Sequence, residues 1–200
     1  MRPSRIISVV FHPVFMPLIG VCLLLNYGGW LTEIDPSGKR SIYLIVSLTT
    51  LMMPLLIMPV LLKTKIIHSY LLVDREERRI PLLLTALMYL TGAYLLQRVD
   101  APILLSLFLN GSSLIILSLV VINWRWKISM HMAGIGGVTG MLLAISIRWM
   151  LEVEPIIAIL FLVAGFVGFA RLKDNDHSPA QVYAGYLLGF GVNFLLILLV

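Results

Sequence analysis

Seven stretches without one acidic, lysine or arginine side chain dominate this sequence: residues 6–27, 41–62, 80–97, 101–122, 128–147, 155–169 and 178–200. A helix needs roughly 20 apolar residues to cross a hydrocarbon core of about 30 Å, where peptide groups must satisfy one another because no water is present. The longest interruptions, 28–40 and 63–79, leave no room for a water-soluble domain. The expected fold is therefore an all-α integral membrane protein, one domain over residues 1–200, built as a bundle of about seven transmembrane helices. Composition excludes the alternatives. Only 12% of residues are charged and 60% are apolar, whereas a soluble domain carries about 25% charged residues and a disordered chain more. The net charge of +5 then reads as loop charge that sets orientation, and not as the footprint of a nucleic-acid partner. The one cysteine, Cys22, lies inside the first apolar stretch and has no intrachain partner for a disulfide.

The basic residues 1–5 ahead of an apolar stretch resemble a signal peptide, but the stretch is too long and lacks an Ala-x-Ala cleavage pattern. It reads as a retained first helix kinked at Pro13 and Pro17, with Pro54 and Pro59 kinking the second. A re-entrant or interfacial first helix would leave six full spans. With seven, segments 63–79, 123–127 and 170–177 share the face of the N-terminus. That face carries eleven Lys and Arg against four on the other, which favours it as cytoplasmic. Setting aside Arg75, Arg78, Arg79 and Arg171 weakens the vote to seven against four.

Those three segments also hold the unusual residues. The first is Asp74-Arg75-Glu76-Glu77-Arg78-Arg79-Ile80-Pro81, the second leads through Ser129 to His131, and the third runs from Arg171 to His177 and on to Gln181. The hairpins 80–122 and 128–169 each leave this face and return to it, so motifs remote in sequence meet at one end of the bundle. Arginine forks match phosphate oxygens and stay charged at any working pH. A neutral histidine can attack phosphorus, and a protonated one can supply the proton that a leaving alkoxide needs. The set suits a phosphate monoester whose tail stays in lipid. Each part has a plainer role as well: self-paired loop charges for the arginines, helix packing for His131, interfacial polarity for His177. His12 and His68 stand apart and receive no role.

Small residues add a scaffold. His177, Gln181, Ala184, Gly185, Leu188 and Gly189 form one helical stripe, and Gly136-x-x-x-Gly140, Ala164-x-x-x-Gly168 and Gly185-x-x-x-Gly189 permit close helix approach in lipid. The sixth stretch has only 15 residues, rising about 22 Å, which draws Arg171 below the headgroup plane.

In this order and spacing the motifs resemble the integral-membrane branch of the type-2 phosphatidic acid phosphatase superfamily, whose members carry Lys-x6-Arg-Pro, Pro-Ser-Gly-His and Ser-Arg-x5-His-x3-Asp. The resemblance spans residues 74–189, the phosphatase-like core, and is strongest where Arg171, His177 and Ala184-Gly185 match in spacing. It departs at Ile128 for Pro, Met130 for Gly, Ala170 for Ser and Gln181 for Asp, and the first motif lacks the family spacing. The resemblance implies a metal-independent lipid phosphatase without a cofactor, in a bacterial inner membrane. His177 would be the nucleophile that becomes phosphohistidine, His131 the general acid, and Gln181 the acceptor that orients His177. Arg75, Arg78, Arg79, Ser129 and Arg171 would hold the phosphate. A relative that binds anionic lipid headgroups without turnover is the second expectation. A transporter or prenyltransferase ranks third, because the spans carry neither charges nor paired Asp-x-x-x-Asp motifs.

Overall fold

A computed structural model describes residues 3–70 and 76–199. Among them the helices are α1 (Pro3–Val10), α2 (Met16–Tyr27), α3 (Pro36–Val46), α4 (Met53–Lys63), α5 (Arg79–Arg98), α6 (Ile103–Asn123), α7 (Met130–Trp149), α8 (Glu154–Lys173) and α9 (Pro179–Leu198), with no strand. Taken as α1–α2, α3–α4 and five single helices, they make seven segments long and apolar enough to cross a membrane. The surface is apolar where a soluble protein's is polar, around a core that is itself mostly apolar. Leu56, Val121, Leu162 and Leu187 leave at least 65% of their surface outside, while Ser106, Ser113, Asn123, Thr139 and Asn193 are sealed inside. This arrangement suits an apolar surround. The protein is a multi-pass membrane protein.

Proline breaks the first two spans, and each break has a local cause. The chain leaves α1 at Phe11-His12, makes a 3₁₀ turn over Pro13–Phe15, and restarts with Pro17 in the first turn of α2. A proline there costs no helical bond, since that N–H has no intrahelical partner anyway. In the second span, Pro54 has no N–H for the carbonyl four residues back, and the preceding Ser47–Met52 winds as a π-helix. The Met53 N–H reaches Leu48 O, five residues back. α1 is amphipathic in the inverted sense: Ser4 and Ser8 face inward, and Ile6, Val9 and Val10 face outward.

α7 is the central helix, with 72% of its apolar window buried against 22–44% for the other six spans. It packs in parallel against α9 at backbone contact. A Cβ at Gly185 would meet the Ser129 carbonyl, and one at Gly189 the Ala133 carbonyl; from the other side Gly136 and Gly140 meet the Tyr186 and Phe190 carbonyls. Two of the three small-residue motifs thus meet in one interface. The third also faces it, with Gly168 of α8 against Val182 and Met132. Asn193 fastens the pair lower down, its Nδ2 donating to Gly137 O at 3.1 Å. The start of α7 is therefore held beside the start of α9.

The sixth span is longer than its apolar stretch. α8 continues through Ala170 to Lys173, so Arg171 and Lys173 belong to the last helical turn, where cations suit the helix dipole. Lys173 lies over the Phe169 ring at 5.6 Å, its stem following the apolar surface.

Candidate active site

The turn between α8 and α9 sets the site. Asn175 takes the left-handed conformation at φ 54°, which Asn tolerates better than most residues. The Asp176 N–H then bonds Arg171 O at 3.2 Å, and the Asn175 N–H bonds Leu172 O at 3.1 Å, closing the helix by a Schellman turn. The chain doubles back so that the Asp176 carboxylate accepts from Arg171 Nη2. His177 follows directly, and Ser178 opens α9.

His177 is fixed by two acceptors on one nitrogen. Its Nδ1 lies 3.1 Å from Lys127 O and 3.3 Å from Gln181 Oε1. Both are oxygens that can only accept here, so Nδ1 carries the proton and Nε2 keeps its lone pair. Burial is the main effect that holds the imidazole below its ordinary value, and the Arg171 guanidinium adds to this. Both effects favour the neutral ring. Gln181 serves twice, because the same Oε1 accepts from the Ser178 N–H at 3.0 Å as part of a capping box on α9. A Glu or Gln is what that position of a helix start calls for.

His131, in the first turn of α7, has both nitrogens engaged. Nε2 donates to Ser8 O of α1 at 3.0 Å, and Nδ1 accepts from Arg171 Nη1 at 3.4 Å. α1 is tied down again where Ser4 Oγ donates to the Asp174 carboxylate at 2.7 Å. Arg171 thus spans His131 and Asp176, while its Nε is buried with no acceptor among the described residues. Neither Asp174 nor Asp176 bonds His177, so its countercharge does not come from that loop.

These groups line one end of a cavity of about 910 Å³. Arg5, Arg78, Lys127 and Arg171 bring four cations to its wall against the carboxylates of Asp174 and Asp176, and His12, His131 and His177 all border it. The remaining wall is mostly apolar, with Met16, Leu55, Met58, Phe108, Ile116 and Leu119 among its residues beside a few hydroxyls such as Thr85 and Ser112. The cavity is amphiphilic, basic at one end and greasy along its length.

The expected site residues divide on this geometry. His131, His177, Arg78 and Arg171 share the cavity wall, and Gln181 stands directly behind His177. Arg79 does not join them: its guanidinium lies 5.6 Å over the Trp124 ring, and it is absent from the wall. Ser129 is also off the wall, fully buried as the residue before α7, with its N–H on Gln181 O at 3.2 Å. Arg75 and Asp74 lie outside the described residues. Glu77 pairs with His68, Nδ1 to Oε1 at 2.5 Å.

Sequence reasoning missed the contribution of the first two spans. His12, Ser8 and Arg5 come from the first, and Pro13, Pro17, Pro54 and Pro59 all border the cavity. The signal was present as prolines within spans, because irregular backbone at membrane depth is tolerated where it lines a cavity. Among the described residues no group of three or more His, Cys, Asp or Glu is placed to hold a metal ion. Compared with known proteins, the chain matches no family model, no curated protein and no solved structure.

Proposed function

We propose that this protein is a membrane-embedded lipid phosphate phosphatase, hydrolysing a phosphomonoester, or a pyrophosphate, on a lipid or polyprenyl carrier through a phosphohistidine at His177. One observation carries the reading: a single cavity joins a basic, imidazole-bordered end to a long apolar wall. A phosphorylated amphiphile has that same division. The cations would bind phosphate oxygens and balance the charge that develops as the lipid oxygen departs.

The state of His177 supports a nucleophilic role. Its Nδ1 proton is held by Lys127 O and Gln181 Oε1, which leaves the Nε2 lone pair to attack phosphorus. Gln181 fixes the tautomer but brings no negative charge to the imidazolium. The expected test is phosphate release from phosphatidate or a polyprenyl phosphate in excess EDTA, lost on His177→Ala. Release that survives this substitution removes the mechanism.

A second reading, a protein that binds anionic lipid headgroups without turnover, is favoured by the pairing of Arg171 with Asp176 and by the neutral Gln181. Tight binding with no release across a panel of lipid phosphates would select it. A gain of turnover on Gln181→Asp would show a nearly complete catalytic site.

A further inference from the structure

Three imidazoles border the basic end of the cavity, and only one is free to carry a proton to the substrate. His131 has no nitrogen to spare, since Nε2 donates to Ser8 O and Nδ1 receives Arg171 Nη1. A second proton, on Nδ1, would set an N–H⁺ against a guanidinium 3.4 Å away in a half-buried site, where like charges repel strongly. His12 is placed differently. It stands at the break between α1 and α2, its ring edge-on to His131 with centroids 5.3 Å apart, on the same cavity wall. Its ring makes one bond, Nδ1 accepting from the Val14 N–H at 3.3 Å, a long contact of little net worth that is given up whenever Nδ1 carries a proton, as it does throughout the steps below. Among the described residues nothing engages its Nε2. The charged or titratable groups that act on its ring are Arg171 and His131.

We propose that His12 is the proton donor to the leaving oxygen, and that His131 is a positioning residue which orients Arg171. This rests on the lipid phosphatase reading. In the first step the His177 Nε2 lone pair forms a bond to phosphorus as the bond from phosphorus to the lipid oxygen breaks. The electron pair goes to that oxygen, which takes a proton from the His12 imidazolium and leaves as the alcohol. In the second step neutral His12 takes a proton from water as the water oxygen bonds phosphorus. The bond from phosphorus to nitrogen breaks, its pair returns to His177 Nε2, and phosphate is released with His12 protonated again. His12 also caps the 3₁₀ turn, and a test must separate that role from proton transfer.

Leaving-group dependence does so. The substrates are dodecyl phosphate, whose alkoxide needs a proton, and a dodecyl-substituted nitrophenyl phosphate, whose phenolate does not. With purified protein in detergent, His12→Gln is expected to lower kcat/KM for dodecyl phosphate by about 100-fold or more, and for the aryl ester by under about 10-fold. His131→Gln is expected to lower both by similar factors. Equal losses on both esters in His12→Gln, with melting temperature unchanged, overturn the proposal. A selective alkyl loss in His131→Gln overturns it too. Should His12→Gln not fold, His12→Asn provides the same comparison. Wild-type hydrolysis that His177→Ala abolishes keeps the phosphatase reading intact whichever way the His12 result falls; a wild type inactive on both esters removes the reading and the proposal together.

Discussion

At the scale of single residues, the site turns on what each nitrogen already holds. His177 Nδ1 has two oxygen acceptors, and burial lowers its imidazole below the ordinary value of 6.5. The proposed nucleophile must be neutral, so the lowered value would keep His177 competent further into acid. The acid limb of the pH profile of kcat/KM is expected below pH 6.5, the ordinary histidine value. Gln181→Glu retains the acceptor at 3.3 Å and adds a negative charge, which favours the imidazolium. It is expected to move that limb upward by about one unit or more. An unmoved limb would mean that Gln181 serves only the helix cap. The Arg171–Asp176 pair makes a related point, because bound phosphate competes with a carboxylate for the same guanidinium. Asp176→Asn removes the competitor, so inorganic phosphate is expected to inhibit at several-fold lower concentration, measured as Ki. The sequence showed which residue types meet, through the Arg-x5-His spacing, but not their pairing. The left-handed Asn175 and the carbonyls of Lys127 and Ser8 decide that, and no side-chain pattern encodes a backbone acceptor.

At the scale of elements, the α7–α9 contact holds the start of α7, with His131, beside the start of α9, with His177 just ahead of it. Gly189 sits against the Ala133 carbonyl with no room for a methyl group, whereas Gly191 has open space. Gly189→Val forces the helices apart and is expected to cost about 1–3 kcal/mol, read as a lowered melting temperature in detergent with activity lost. Gly191→Ala is expected to leave both unchanged. The small-residue motifs were readable because close approach in lipid needs glycine whatever the fold. The broken spans were readable only as kinks. That Pro13, Pro17, Pro54 and Pro59 converge on one cavity depends on how α2 and α4 pack against α5 to α7, which lies beyond any local pattern. Arg79 went astray for a similar reason. Arg78 and Arg79 are adjacent, yet neighbouring positions at a helix start point in different directions, and Trp124 captures one of them.

At the scale of the whole molecule, seven apolar spans, an apolar outer surface and one amphiphilic cavity belong together. The excess of Lys and Arg on the face that carries the site predicts that this face is cytoplasmic. In a Cys22→Ser background, Lys173→Cys is expected to resist a membrane-impermeant maleimide applied to intact cells while Ser37→Cys reacts; the reverse pattern would put the site on the outer face. The central claim concerns His177 and is tested most directly by trapping the covalent intermediate. Wild-type protein mixed with a lipid carrying radiolabelled phosphate, then quenched in base, should retain a label that is stable to base and released by acid. His177→Ala should retain none. Steady hydrolysis by the wild type with no label trapped, or a label that persists without His177, would contradict the account.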